Sequence, residues 1–442
     1  MIKTITAGVR WVLEGQSGVA ATVQTLITRL LVIATSLFTG VITARLLGVE
    51  GRGELAAILT WPQFLSYALT LGIPYALIFN LKKHPEDESK IFSASLYLGL
   101  ILGAIAASIG IVFMPLWLAK YSLGVVQLAQ WLMLTAPLVL LSTITTKALE
   151  ARGEFRIANQ TNYLQTLLTL LVLVLLALLQ ALTPWTVALT YSLTWLPLTG
   201  WMLTYLLKSY QLSLWGLGKY FKELLSYGLR SYGIDLISTL SGQVGQALVV
   251  GLLAPKELGL YAVALSVSRM LGVFQGSIVT VLLPKVSACS IEQVIAVTGR
   301  AARLSGALTS LAAIAVILVC PLLLQVIYGA EFLEAASVLR ILVIEAAVGS
   351  TAWVLAQAFM GLGRPGVVTV LQGVGLALNV PLLIFLIPRF GINGAGLALL
   401  GTTLFRMGFV LLCFPFILKV RSPGLLINRE DVQFLRQKLR KS

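Results

Sequence analysis

The chain has 442 residues, 58% of them hydrophobic and 11% charged, with a mean hydropathy of +0.93 and a formal net charge of +15. A soluble domain carries about 25% charged residues. No soluble fold could bury this much apolar surface, so the solvent is lipid. The excess positive charge sits in short connections between apolar runs, which argues against a nucleic-acid surface and for orientation across a membrane.

The first residues, with Lys3, Arg10, Trp11 and Glu14, read as a short interfacial helix, with no cleavable signal sequence. Apolar runs then predict membrane spans over about 18–47, 54–81, 91–118, 123–149, 163–182 and 185–207. Residues 208–223 set Trp215, Tyr220 and Phe221 among Lys208, Lys219 and Lys222, the pattern of an amphipathic linker at the headgroup layer. Six further spans follow over about 224–253, 258–283, 303–328, 335–362, 367–387 and 394–419. In the basic tail, Val432, Leu435 and Leu439 fall on one helical face.

The expected organisation is therefore an all-α membrane protein of about twelve transmembrane helices. Its parts are an N-terminal lobe (1–207), a cytoplasmic linker (208–223), a C-terminal lobe (224–420) and a cytoplasmic tail (421–442). Of the 32 Lys and Arg residues, 22 fall on the side of the termini and 5 on the other, which predicts cytoplasmic termini.

The two lobes carry an internal repeat. Leu46-Leu47-Gly48-Val49-Glu50-Gly51-Arg52-Gly53-Glu54-Leu55-Ala56 returns, degraded, as Leu252-Leu253-Ala254-Pro255-Lys256-Glu257-Leu258-Gly259-Leu260-Tyr261-Ala262, 206 residues on. Pro115 and Pro321 stand at the same separation, each late in an apolar run. Repeats of this length in a hydrophobic chain mark paired transporter lobes.

The remaining five arginines, Arg29, Arg230, Arg269, Arg340 and Arg406, lie inside spans, with Asp235 and Glu345. A charge at the bilayer centre costs roughly 3 kcal/mol or more, so such groups face a cavity or a partner. The positive balance favours an anion. At the repeat separation Arg29 corresponds to Asp235, a pair fit either to close the cytoplasmic end or to contact substrate. Arg269 and Arg406 fall nearer mid-span. Arg230 and Arg340 lie nearer span ends, where the side chain can reach the headgroups instead. Glu345 suits a proton or cation site or an arginine partner. The substrate-facing candidates are Arg29, Arg269, Arg406, Asp235, Glu345 and Arg230. Gln63, Gln246, Gln275, Gln357, Gln372 and Asn379 read as interhelical polar contacts. One histidine, His84, and three scattered cysteines, Cys289, Cys320 and Cys413, give no catalytic, metal or disulfide pattern. No enzyme activity and no cofactor are expected.

The loop Ala44-Arg45-Leu46-Leu47-Gly48 with Gly51-Arg52-Gly53-Glu54-Leu55-Ala56 resembles the first outer loop of polysaccharide transporters. These are Wzx-type oligosaccharide flippases of the MATE-like multidrug/oligosaccharidyl-lipid/polysaccharide superfamily. Glu257-Leu258-Gly259-Leu260-Tyr261-Ala262 is similar to the second-lobe counterpart. Leu378-Asn379 and Ile387-Pro388-Arg389-Phe390-Gly391-Ile392-Asn393-Gly394-Ala395-Gly396 resemble the junction of the last two spans. The charged Asn-Arg-x-Asp-Arg-like run of many relatives is replaced here by Gly242-Gln243-Val244-Gly245-Gln246.

The resemblance implies a MATE-like fold with a central cavity. It implies a flippase moving an undecaprenyl-pyrophosphate-linked oligosaccharide from the cytoplasmic to the outer leaflet of a bacterial inner membrane, by alternating access. Implied partners are the lipid-linked oligosaccharide, membrane lipid, an H+ or Na+ coupling ion and polysaccharide polymerase machinery. The competing readings are a cation-coupled multidrug antiporter, which needs acidic cavity groups, and a lipid-linked peptidoglycan-precursor flippase, whose family usually has two further spans.

Overall fold

The computed structural model describes residues 18–286, 290–428 and Asp431; the side chains of 18–30, 230–241, 280–281 and 283–286 fall outside this description. The interfacial helix expected around Trp11, Cys289 and the tail beyond Asp431 therefore lie outside the described residues. Among the described residues the chain is helical throughout, without a strand. Its backbone divides into two compact units, Met1–Leu236 and Ile237–Ser442.

The first unit holds α1 (Gly18–Ala68), α2 (Ile73–Lys83), α3 (Glu88–Trp117), α4 (Leu123–Met133), α5 (Ala136–Ala151), α6 (Phe155–Leu178), α7 (Pro184–Leu193) and α8 (Trp195–Leu207). Helix α9 (Gly218–Leu252) begins in it. The second unit holds α10 (Pro255–Met270), α11 (Gly272–Val286), α12 (Ile291–Leu323), α13 (Ala336–Gly361) and α14 (Pro365–Cys413).

The repeat is visible in these boundaries. Helices α3 and α12 end at Trp117 and Leu323, 206 residues apart, two residues after Pro115 and Pro321. Gly48, with φ 69° and ψ −175°, interrupts α1; 206 residues on, Ala254 is the extended residue that opens α10, its N–H bonded to Glu257 Oε2 at 3.0 Å. Gly391, with φ 54°, interrupts α14, where the first unit has the Thr183-Pro184 start of α7. A positive φ is cheap only for glycine, so the halves make matching breaks by different means.

Seven described segments are long and apolar enough to cross a membrane, eight if the bent pair α4–α5 counts as one span. Two of them, Leu31–Lys83 and Pro365–Leu418, have 53 and 54 residues, about 80 Å of helix against a ~30 Å hydrocarbon core, and each contains a glycine interruption. Large apolar side chains stand outward, Leu178 at 78% and Leu318 at 76% exposure, as lipid-facing surfaces require.

The twelve expected spans do not map one to one onto these helices, and proline explains why. The expected span 123–149 is bent by 40° between Met133 and Ala136, because Pro137 has no N–H for the Met133 carbonyl. The expected span 185–207 divides after Leu193 for the same reason, its partner position being Pro197. Within α3, Pro115 leaves the Ile111 carbonyl unpaired, and Gln130 of α4 supplies the missing donor at 2.7 Å. Gly103 lets α3 and α5 approach: a Cβ there would run into the Pro137 backbone.

The segment 208–217 is not helical and is tied to α3, the N–H groups of Gln211 and Ser213 donating to Ser89 Oγ and Ser93 Oγ. Of its expected headgroup aromatics, Trp215 is exposed, whereas Tyr220 and Phe221 pack into the core of the first unit with Phe92 and Tyr210. In the second unit, Asp431 is buried against α12. Arg303 donates to both of its oxygens, at 2.6 and 2.8 Å, and Arg300 lies 3.4 Å away. The Asn428 side chain accepts the Asp431 N–H while Asp431 accepts the Asn428 N–H, a reciprocal pair of side-chain to main-chain bonds. The Arg303 hydrogen bond holds the Asp431 carboxyl below the usual carboxylate range.

Candidate functional site

Three of the six candidates meet in one place. Arg269 of α10, Glu345 of α13 and Arg406 of α14 line a cavity of about 310 Å³ inside the second unit. Helix α13 presents Glu345, Gly349 and Trp353 to it at four-residue steps, one face of a helix. Helix α14 contributes from both sides of its Gly391 interruption, Gln372 before and Arg406 after. Arg406 lies across Gly375, where a Cβ would stand 2.8 Å from its Cδ.

The charges are joined through a hydroxyl. Arg406 Nη1 donates to Gln372 Oε1 at 3.0 Å and Nη2 to Thr403 Oγ1 at 3.1 Å. Thr403 in turn donates to Glu345 Oε1 at 2.6 Å. Behind this wall Ser350, also lining the cavity, is bonded to Ser305 and Thr309 of α12. Arg269 has no hydrogen bond or ion pair among the described residues. Two guanidinium groups face one carboxylate, an excess of one positive charge when all three are ionised. A guanidinium presents a planar fork of donors that fits carboxylate or phosphate oxygens.

The other three candidates lie on helices whose side chains are not described at those positions. Arg29 lies in α1, and Arg230 and Asp235 lie in α9; their side chains fall outside the described residues. Arg340, near the start of α13, is exposed. Thr403, Gln275 and Trp353 also line the site. Of these, Thr403 was legible in principle, since it stands one helical turn before Arg406. Gln372, expected as an interhelical contact, makes one, accepting from the Arg406 guanidinium across the Gly391 interruption.

The profile of a family described as "Polysaccharide biosynthesis protein" matches residues 42–337, about two thirds of the chain. The chain belongs to this polysaccharide biosynthesis protein family. Arg269 falls inside the matched stretch, whereas Glu345, Thr403 and Arg406 lie beyond it and rest on geometry. No curated protein matches the chain in sequence.

Solved structures give the fold. The chain is similar to the lipid II flippase MurJ in an inward closed conformation, with TM-score 0.76 and 15% identity over 92% of this chain and 88% of that one. It is similar to an inward-facing multidrug resistance MATE family transporter of the MOP superfamily, with TM-score 0.70 and 14% identity over 88% of this chain and 96% of that one. A MOP superfamily transporter from Pyrococcus furiosus gives TM-score 0.60 and 15% identity over 92% and 96%. This member of the polysaccharide biosynthesis protein family is therefore a multi-pass membrane protein with a MATE-like fold.

Proposed function

We propose that the chain flips an undecaprenyl-pyrophosphate-linked oligosaccharide from the cytoplasmic to the outer leaflet of a bacterial inner membrane. The observation that carries this reading is the cavity of the second unit, where Arg269 and Arg406 outnumber Glu345 within apolar helices. A diphosphate headgroup supplies the counter-charge that such a site lacks, while the lipid chain stays in the bilayer. Alternating access would expose the site to each leaflet in turn, with Arg29 and Asp235 as candidate gate or substrate residues and an H+ or Na+ gradient as the driving force. Both termini would lie in the cytoplasm.

The test is deletion of the gene followed by extraction of lipid-linked intermediates. The expected result is accumulation of a complete lipid-linked repeat unit on the cytoplasmic leaflet, with loss of surface polysaccharide. Restoration of export by an R269A/R406A double variant at normal protein level would overturn the reading. A lipid-linked peptidoglycan precursor has the same diphosphate chemistry, and the likeness to MurJ favours keeping it as the second reading. That reading requires the deletion to accumulate peptidoglycan precursor instead.

A further inference from the structure

The polar lining of the cavity falls into two halves. One half is engaged with itself, in the chain from Gln372 through Arg406 and Thr403 to Glu345. The other half is not. Arg269 and Gln275 flank the junction of α10 and α11, and Trp353 faces the same space from α13. Among the described residues none of these three side chains has a hydrogen-bond partner, although each carries N–H donors and Gln275 also a carbonyl. Trp353 is the one aromatic residue in the described lining.

These groups differ in chemistry in a way that matches one kind of ligand. A pyranose ring has an apolar C–H face and a rim of hydroxyls. An indole offers a broad apolar face with a donor at its edge, and a primary amide offers donor and acceptor together. The unpartnered guanidinium stands beside them for an anionic substituent. At about 310 Å³ the cavity is at the lower end of those that hold a small organic ligand, enough for one sugar phosphate.

We propose that Arg269, Gln275 and Trp353 form a specificity subsite for the sugar attached directly to the phosphate of the transported lipid. The proposal rests on the anionic-headgroup reading above and adds to it which part of the glycan is read and by which residues. Arg269 takes a phosphate oxygen, Trp353 covers the apolar face of the ring, and Gln275 bonds its hydroxyl or acetamido rim. A site built to bond a particular substituent rejects ligands lacking it, because its own polar groups are then left unpaired.

The experiment uses the full chain in lipid nanodiscs. Binding of inorganic phosphate, inorganic pyrophosphate and the 1-phosphates of glucose, galactose and N-acetylglucosamine is compared by titration followed through 31P NMR line broadening. The wild-type chain is expected to prefer at least one sugar phosphate over inorganic phosphate. In W353A and Q275A the affinity for that sugar phosphate should fall roughly tenfold more than the affinity for inorganic phosphate, the worth of about one hydrogen bond. W353F, which keeps a ring face and fills most of the volume, should fall between wild type and W353A. R269A should weaken all the anions together. No preference for any sugar phosphate, or an equal loss for every ligand in W353A and Q275A, would overturn the subsite. Absence of all anion binding, with R269A indistinguishable from wild type, would instead sink the anionic-headgroup reading.

Discussion

At the scale of single residues, the two cavity arginines are held differently, and that difference is measurable. Arg406 is bonded to Gln372 and Thr403, and through Thr403 to Glu345, so its removal leaves the Gln372 carbonyl and the Thr403 hydroxyl without their donor and takes one of the two positive charges from Glu345. Hydrogen bonds to charged groups contribute about 2 kcal/mol each in net terms. R406A should therefore impair export and also lower the thermal unfolding midpoint in detergent. R269A should impair export alone, since Arg269 has no bonded neighbour among the described residues to orphan. Equal melting of the two variants would contradict the asymmetry. T403V should resemble R406A in stability, because it removes the bridge while keeping the volume.

Asp431 gives a second residue-scale prediction. Its carboxyl is held below the ordinary carboxylate range by Arg303, so the ionised form is the one that docks. A depressed folded-state pKa contributes stability that is present above the unfolded value and is lost as pH falls through the lowered one. Tail docking should thus persist at neutral pH and loosen only below about pH 4. D431N should reproduce the loosening at pH 7. Limited proteolysis of the 421–431 segment reads both, and equal cleavage of D431N and wild type at pH 7 would count against the clamp.

Elements are where sequence reading both worked and failed. The spans around Pro115 and Pro321 were legible because a 206-residue repeat and unbroken apolar runs leave few alternatives. The break at Leu134 and Thr135 was not, because hydropathy is blind to the donor that Pro137 removes. Nor was the contact between Gln130 and the Ile111 carbonyl, which joins two helices through geometry that no periodicity encodes. That contact is testable by a double-mutant cycle. Q130A should cost about 1–2 kcal/mol by leaving a partly buried carbonyl unpaired. P115A restores a main-chain donor at that position, so adding it should reduce the cost of Q130A. Additive losses would mean that Gln130 is not compensating for the proline.

For the molecule as a whole, composition settled the solvent, the repeat settled the duplication, and charge bias gives an orientation still to be measured. Reporter fusions or cysteine labelling at residue 83 and at residue 120 should report opposite sides, with residue 83 cytoplasmic; labelling from the same side would overturn the topology. The candidate site was partly legible. Charged residues inside apolar runs drew attention to Arg269, Glu345 and Arg406, which the fold gathers in one cavity. The sequence could not tell that Thr403 mediates between Glu345 and Arg406, since that relation spans 58 residues. It also could not separate a glutamine that steadies an arginine, as Gln372 does, from one without a partner among the described residues, as Gln275 is.

The unequal reversals at Gly48 and Ala254 have a practical corollary. Gly48 turns by adopting φ 69°, so any β-carbon placed there works against the backbone. Ala254 is already extended ahead of a proline, a conformation open to every residue type. A reporter dye, an epitope or a cross-linking handle belongs at the later hairpin, and the earlier one is best left untouched. Duplication supplied two copies of the bend, and only one of them has a backbone conformation that accepts any side chain.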